Sequence, residues 1–310
     1  GQTGSVTFIG TVSPAGGNLK EPVTENTKKV ARCFYALEQE RADRKRYPAQ
    51  IQPYVDEVRE FARFNHDVIL RKVLSVLSLV LKLPVHTLWD LSKDQESKGL
   101  DLLRFALYRP PPPEDDEAVD GVRLQGHTDF NTVSILWSQP ITSLEVLMPD
   151  NIWRKVRHEP NAVVLNLGDA MHFISGGFFK PTIHRVVAPP EDQKHYNRLG
   201  VFYFALFNEN VVLEPLLESD IVKKASQGHD FWSKRHSRGL PAVTAGEWER
   251  MRVRAYGQGG QKKGSDGHDH EQIAGVNVTL YNSIQNVPKV ARKIGGVNEH
   301  ARARVIHATS

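Results

Sequence analysis

Between residues 122 and 207 the chain is a series of short β-rich runs separated by turn residues, and this pattern restricts the fold more than any other feature. Turn signals such as Pro149-Asp150-Asn151 and Gly168-Asp169 separate neighbouring runs. The predicted strands are Val122–Gly126, Thr132–Trp137, Leu144–Met148, Trp153–Arg157, Ala162–Leu167, Thr182–Val187 and Arg198–Phe207. Strands at such short spacing predict a sandwich or open barrel rather than a parallel sheet with helical crossovers.

Helical patterns precede these strands. A long helix is predicted from about Tyr54 to Lys82, ended by Leu83-Pro84, and a mixed-charge helix is predicted earlier, over Glu25–Arg46. The apolar positions that recur along the long helix at steps compatible with 3.6 residues per turn are Val58, Phe61, Val68, Val73, Leu77 and Val80. Helices followed by strands predict an α+β fold.

Composition divides the chain into three parts. Residues 1–50 form an atypical N-terminal region, and residues 51–257 form the main domain, whose strand core covers about 102–210. Residues 258–310 are expected to be a polar loop followed by a basic tail. His268 and His270 alternate with acidic residues in this Gly-rich loop, which is more typical of a solvated tract than of a zinc site.

Cysteine use and charge limit the possible partners. Cys33 is the only cysteine, so no intramolecular disulfide forms, and the start of the chain lacks the features of a secretory signal, which makes a cytoplasmic location the default. The most apolar stretch, Val73–Leu81, is too short to span a bilayer. The net charge of +4 equals the surplus of basic residues in 283–310, which indicates a basic tail on a balanced body. We therefore expect a small-molecule partner rather than nucleic acid or a membrane.

Three residues indicate a metal centre. In the segment GHTDF, His127 and Asp129 are two residues apart, and on a strand this spacing places both side chains on one face. His184 lies on a later predicted strand, so a barrel would present two imidazoles and one carboxylate to one point. This facial arrangement suits iron(II) oxygen chemistry because it leaves coordination positions open. The alternative is that the two histidines are ordinary half-buried residues.

The strand RLGVFYFALF begins with a positive charge. Alternation places Arg198 on the same face as Gly200, Phe202 and Phe204. An arginine inside a barrel needs an anionic partner, and a dicarboxylate cosubstrate would provide one through a forked contact. The alternative is that Arg198 caps the strand end in solvent.

The segments GHTDF, TIHRVV and RLGVFYF, with Gly168-Asp169 between them, occur in this order over about residues 50–257. As a set they resemble the isopenicillin-N-synthase-like branch of the iron(II)- and 2-oxoglutarate-dependent oxygenases, especially fungal members described as clavaminate-synthase-like. The resemblance implies a double-stranded β-helix, or jelly-roll, core backed by a long N-terminal helix and flanking helices. It also implies His127, Asp129 and His184 as iron ligands, and O2 as the oxidant.

The same resemblance implies that Arg198 binds the distal carboxylate of 2-oxoglutarate and that Tyr108, in LRFALYRPP, helps to hold this cosubstrate. Two positions depart from the family pattern. Gly200 stands where the pattern has a serine, and Ala106 stands where it has an asparagine. These departures leave open an iron oxidase that uses no 2-oxoglutarate. The poorly matching N-terminus also leaves open a degenerate jelly-roll protein that binds a ligand without turnover.

By analogy with the family, the expected reaction is hydroxylation or desaturation of a small organic substrate of secondary metabolism, with succinate and CO2 as co-products. Aromatic residues near the predicted site are candidates to line its pocket, and His172 is a candidate for its mouth. Each is more typical of core packing than of substrate contact. The sequence does not indicate the oligomeric state.

Overall fold

The computed structural model describes residues 50–93, 101–110, 121–255 and 262–281. The predicted helix over Glu25–Arg46, the atypical region before residue 50 and the basic tail after residue 281 lie outside these ranges. None of the helices in the described ranges has both the length and the apolar character that crossing a membrane requires.

Two four-stranded antiparallel sheets form the centre of the fold. The first has the order β1-β8-β3-β6 and consists of β1 (Leu102–Tyr108), β3 (Val133–Trp137), β6 (Val164–Leu167) and β8 (Arg198–Ala205). The second has the order β2-β7-β4-β5 and consists of β2 (Val122–His127), β4 (Leu144–Leu147), β5 (Trp153–Lys155) and β7 (His184–Val187). Apart from the hairpin of β4 and β5, which lie in one sheet, successive strands alternate between the two sheets. This is the arrangement of a double-stranded β-helix, so the predicted fold class is confirmed.

All seven predicted strands are present, and β1 is an eighth that the sequence did not indicate. The run LLRFALY contains apolar residues at adjacent positions, so it lacks the alternation by which half-buried strands are recognised. β1 pairs with β8 in a continuous register from Leu102–Phe204 to Tyr108–Arg198. This pairing places Tyr108 directly across from Arg198.

The long helix is present but is not regular. A 3-10 turn (Gln52–Tyr54) leads into α1 (Val55–Arg63), a π-helical segment (Phe64–Leu70) and α2 (Arg71–Val80). A π segment adds a residue to its turns and thereby rotates the buried face. For this reason Val68 and Val80, which the pattern grouped with the other apolar positions, are 37% and 44% exposed, whereas His66 and Ser78 are buried.

The helix packs on the outer face of the first sheet. Tyr203 of β8 points toward it, and the Tyr203 hydroxyl lies 2.9 Å from Nδ1 of His66. The side chain of Asp101 contacts both groups, at 2.5 Å from the Tyr203 hydroxyl and 2.9 Å from His66. Burial, followed by the charge of Asp101, raises the pKa of Tyr203, which keeps its hydroxyl protonated as a donor. These contacts join the helix to the sheet, so the opposite face of the sheet is left to line the barrel interior.

The described ranges contain five further helices outside the barrel strands: α3 (Thr87–Asp90), α4 (Asp169–Ile174), α5 (Asp220–Ala225), α6 (Ser233–His236) and α7 (Ala245–Ala255). Two tryptophans from this layer, Trp232 and Trp248, are almost fully buried and pack against Phe173 of α4. These large aromatic contacts fix α4 and α7 relative to one another.

The predicted loop over 258–271 is wrong for the part that the structure describes. β9 (Lys262–Lys263), β10 (Asp269–Ile273) and β11 (Val276–Leu280) form a three-stranded sheet. Ala274 and Gly275 form the two-residue turn between β10 and β11, both with positive φ, as the favoured hairpin turns require. Ala-Gly is a weaker turn signal than Asn-Gly, so the hairpin was not recognised in the sequence. Both ring nitrogens of His270 contact neighbours within this sheet, Asp266 and Thr279.

Candidate metal centre

The structure brings the three predicted metal ligands together inside the barrel. His127 and His184 are partners on adjacent strands, at the end of β2 and the start of β7, and their rings lie 4.5 Å apart. Nε2 of His127 is 3.8 Å and Nε2 of His184 is 3.7 Å from Oδ1 of Asp129. One ligand atom from each residue lies within 4.8 Å of the other two. In the described part of the chain this is the one His, Cys, Asp and Glu cluster able to hold a metal ion.

Backbone carbonyls orient both imidazoles. Nδ1 of His127 lies 2.8 Å from the carbonyl oxygen of Gln125, and Nδ1 of His184 lies 3.1 Å from that of Thr182. Each Nδ1 therefore carries the proton and donates it, which leaves the Nε2 lone pair free toward the centre. Burial, and then the neighbouring His184, lowers the pKa of His127, which favours the neutral ring that a metal requires.

Two donors orient the Asp129 carboxylate. The Ser134 hydroxyl donates to Oδ2 at 2.6 Å, and the Asn166 amide donates to the same oxygen at 2.7 Å. Ser134 and Asn166 face each other on β3 and β6. Because both bonds use Oδ2, Oδ1 is the oxygen that faces the two histidines. The donor set of two imidazoles and one carboxylate oxygen fits iron(II).

The turn before α4 holds the segment between the ligands. The amide of Asp169 donates to the carbonyl of Asp129 at 2.8 Å. The preceding residue must be a glycine, because a Cβ at Gly168 would lie 2.8 Å from that same carbonyl oxygen and would overlap the carbonyl of Asn131. The turn that Gly168-Asp169 predicts thus fixes the backbone at the metal ligand Asp129.

An arginine from α7 reaches the same segment. Nη1 of Arg252 donates to the Asp169 carboxylate at 2.7 Å, and Nη2 donates to the carbonyl of Thr128, between the first two ligands, at 3.3 Å. Burial raises the pKa of Asp169 to about 6, and the Arg252 charge opposes this rise. At neutral pH the carboxylate is ionised, and the two residues form a buried ion pair.

The predicted cosubstrate residues lie side by side on the paired strands β1 and β8. The guanidinium carbon of Arg198 lies 4.0 Å from the centre of the Tyr108 ring, a cation–π contact. Burial lowers the pKa of Arg198, and the Tyr108 hydroxyl opposes this effect. No acidic side chain in the described ranges forms an ion pair with Arg198, which lines the cavity together with Leu136, Leu144 and Val164. A half-buried cation beside apolar side chains fits the distal carboxylate and methylenes of 2-oxoglutarate.

The two departures from the family pattern lie opposite each other. Ala106 of β1 pairs with Gly200 of β8, and both are buried. The ring of Phe202 occupies the space beside Gly200, since a Cβ there would lie 2.7 Å from Cζ of Phe202. A serine hydroxyl does not fit at this position unless Phe202 moves.

Several residues of the centre were missed by sequence reasoning, and one candidate was misplaced. Ser134 and Asn166 contact Asp129, from which they are 5 and 37 positions away in the sequence. Arg252 contacts Asp169, from which it is 83 positions away. Asn166 and Ser134 are the polar members of otherwise apolar strands, which was an available signal, whereas Arg252 gave none. His172 packs against Phe231 in the helical layer, and its Nδ1 donates to the carbonyl of Phe179. It is absent from the cavity lining described above.

Comparison with known proteins indicates which family this chain resembles. Residues 101–206, which include all eight barrel strands, match the model of the 2OG-Fe(II) oxygenase superfamily. This is the class of oxidoreductase that the sequence predicts, so the match supports the expectation of iron(II), 2-oxoglutarate and O2 as cofactors. The isopenicillin-N-synthase-like branch stays a prediction.

Individual relatives are distant. The chain is 26% identical over 232 residues to UPF0676 protein C1494.01 of Schizosaccharomyces pombe, covering 72% of this chain and 64% of that protein. It is 28% identical over 184 residues to the 2-oxoglutarate-dependent dioxygenase frbH of a Dothideomycetidae species, covering 57% and 55%. The chain thus spans less than two thirds of the length of these curated relatives.

Among solved structures, full-length Neurospora crassa T7H in complex with alpha-KG and thymine is similar in fold. The TM-score is 0.59 at 19% identity, and the match covers 81% of this chain and 73% of that chain. A short segment of 49 residues, 16% of this chain, is 61% identical to V-type ATP synthase alpha chain 1 of Treponema pallidum. This segment covers 8% of that protein.

Proposed function

We propose that the chain is an iron(II)- and 2-oxoglutarate-dependent dioxygenase in which His127, Asp129 and His184 hold the metal. The observation that carries this proposal is the convergence of two Nε2 atoms and one carboxylate oxygen within 4.8 Å of one another. Each of the three is turned toward the centre by a hydrogen bond on its other polar atom. Such orienting hydrogen bonds on all three converging residues are typical of a metal site.

The chain's own residues bind and orient the reactants. Arg198 and Tyr108 bind the distal carboxylate of 2-oxoglutarate, and the apolar side chains of Leu136, Leu144 and Val164 keep water from its methylenes. When bound, the iron supplies the oxidative chemistry that consumes O2 and 2-oxoglutarate and yields succinate and CO2. His127, Asp129 and His184 would each supply one donor atom to this metal.

The substrate is proposed to be a small organic molecule that is hydroxylated or desaturated. Phe202 and Phe204 stack 5.8 Å apart with their planes within 10°, on the same face of β8 as Arg198. Leu102, opposite Phe204, is 42% exposed on this face and extends the apolar surface. An apolar substrate body fits this lining. A role in secondary metabolism and a cytoplasmic location remain proposals from the sequence.

Anaerobic titration of the purified protein with iron(II) and 2-oxoglutarate tests this function. We expect the weak visible charge-transfer band of the metal chelate, and its loss in His127→Ala. His86→Ala, at an exposed position on the N-terminal side of α3, is the matched control and should leave the band intact. A folded, iron-loaded protein without the band would contradict the proposal.

Succinate formation separates the remaining alternatives. An iron oxidase that uses no 2-oxoglutarate would consume O2 with substrate yet form no succinate. A degenerate binding protein would form neither product and would keep its ligand affinity in His127→Ala. The proposed dioxygenase forms succinate in an O2-dependent manner.

A further inference from the structure

A serine and a histidine meet at the Arg198 end of the cavity. The hydroxyl of Ser138 lies 2.9 Å from Nδ1 of His158, and both residues line the cavity together with Arg198 and Gly200. Ser138 follows the end of β3, and His158 follows β5 in the other sheet. The pair therefore bridges the two sheets beside the half-buried guanidinium of Arg198.

Ser138 lies across from Gly200 on the neighbouring strand. The register of β3 with β8 runs from Val133–Ala205 to Trp137–Val201, so the next pair in this register is Ser138 and Gly200. Opposite residues of an antiparallel pair point to the same face. The Gln139 side chain, one residue further, accepts from the amide of Leu199 at 2.7 Å, which keeps the two chains together at this level. A hydroxyl that is missing from β8 is thus present one strand away.

The pair of Ser138 and His158 can donate a hydrogen bond to an anion. When Nδ1 of His158 donates to the Ser138 oxygen, the hydroxyl proton is free to donate to a third group. Beside it, the Arg198 guanidinium has no acidic partner in the described ranges, and the apolar side chains of Leu136, Leu144 and Val164 line the same cavity. A carboxylate bound here receives a charge-assisted contact from Arg198 and a neutral donor from Ser138.

We propose that Ser138, oriented by His158, donates a hydrogen bond to the distal carboxylate of 2-oxoglutarate and replaces the hydroxyl that Gly200 lacks. This inference rests on the proposed function, because it assumes that 2-oxoglutarate occupies the cavity. Ser138 is a cosubstrate-binding residue, and His158 is a positioning residue that acts through it. The relocation follows from packing, since Phe202 fills the space at Gly200 and the next strand offers the nearest alternative.

Binding of two ligands to Ser138→Ala tests the inference. The dissociation constants of 2-oxoglutarate and of 2-oxopentanoate are measured anaerobically on the iron(II)-loaded protein from the charge-transfer band. The second ligand chelates the metal in the same way but ends in a methyl group. We expect Ser138→Ala to weaken 2-oxoglutarate about 10- to 100-fold, as for a lost hydrogen bond to a charged group, and 2-oxopentanoate less than about twofold.

Controls separate this effect from damage to the cavity. Ser237→Ala, at an exposed serine after α6, should bind both ligands as the wild type does. Gly200→Ser combined with Phe202→Leu places a hydroxyl on β8 and makes room for it, and should recover most of the lost affinity in Ser138→Ala. For His158, replacement by Phe should weaken 2-oxoglutarate selectively, and replacement by Asn, which keeps a donor near Nδ1, should restore it.

The outcomes are distinct. If Ser138→Ala binds 2-oxoglutarate within twofold of the wild type, or loses both ligands equally, the inference is wrong while the proposed function stands. If the wild-type protein itself binds iron(II) but not 2-oxoglutarate, the proposed function fails, and the inference fails with it.

Discussion

The guanidinium of Arg252 and the carboxylate of Asp169 form an ion pair at 2.7 Å, with both side chains only 11% exposed, directly behind the metal-binding segment. Asp169 holds the carbonyl of Asp129 through its amide, and Arg252 holds the carbonyl of Thr128. A helix that follows the barrel in the chain therefore helps to fix the positions of its first two metal ligands.

Replacing Arg252 by Met should destabilise the protein by about 3–5 kcal/mol, because a buried carboxylate loses its partner. Iron affinity should fall as well, since the segment at Thr128 is no longer held. Denaturant unfolding and iron titration measure the two effects. Arg250→Met is the matched control on the same helix: its partner Glu209 is 39% exposed, so we expect less than about 1 kcal/mol. Equal losses in the two variants would argue against a special role for Arg252.

Replacing Asn166 by Ala removes one of the two donors to Oδ2 of Asp129. The carboxylate then rotates more freely, and we expect iron(II) affinity to fall about 10- to 100-fold, the usual effect of losing an orienting partner. Competition with a chelator of known affinity measures it. Asn277→Ala, in β11, is the control and should retain wild-type affinity. Unchanged affinity in Asn166→Ala would mean that Ser134 alone orients the carboxylate.

Replacing Gly168 by Ala should prevent the turn before α4 from closing, because the added Cβ overlaps the carbonyl of Asn131. We expect a loss of several kcal/mol in the free energy of unfolding and loss of iron binding together. Gly228→Ala serves for comparison. Its Cβ would meet no atom within 4 Å, and only its φ of +83° is unfavourable, so about 1–2 kcal/mol is expected. A smaller loss at Gly168 than at Gly228 would show that the turn can relax.

His172 should make stability depend on pH. Burial lowers the pKa of His172, so between this lowered pKa and its ordinary value near 6.5 the unfolded chain binds more protons than the folded one. The contribution of neutral His172 to the free energy of unfolding is therefore complete above about pH 6.5 and is lost as the pH falls below this value. Urea unfolding at pH 8 and at pH 5.5 measures this effect. Between the two pH values, the free energy of unfolding should decrease more for the wild type than for His172→Gln. A variant that loses as much as the wild type would assign the dependence to other groups.

Much of the fold was predictable because its signals are local. The seven predicted strands follow from residue types and turn signals within a few positions, and the spacing of His127 and Asp129 places both on one face. The features of the fold that the sequence did not predict depend on contacts between distant residues or on weak local signals. The π segment rotates the helix so that His66 reaches Tyr203, 137 positions away, and no periodicity shows this in advance. β1 lacks alternation, and the hairpin of β10 and β11 turns on an unusual Ala-Gly pair.

The residues of the site also fall into a group that the sequence predicted and a group that it did not. The residue types suited to metal binding were visible in the sequence, and the structure brings all three together. Ser134, Asn166 and Arg252 were not visible, because a serine, an asparagine or an arginine has many possible roles until its neighbours are known. Ser138 was overlooked for the same reason. Only the pairing of β3 with β8 places it across from Gly200.

The hairpin after α7 has a consequence for how the chain is made. β2 lies at the edge of its sheet, and Gly126, next to the ligand His127, exchanges two backbone hydrogen bonds with Tyr281. During synthesis this edge is unprotected until the ribosome has added more than 150 further residues. An exposed strand edge readily pairs with another chain. Translation that stops before Tyr281 should therefore produce aggregates of nascent protein before any defect in chemistry is apparent.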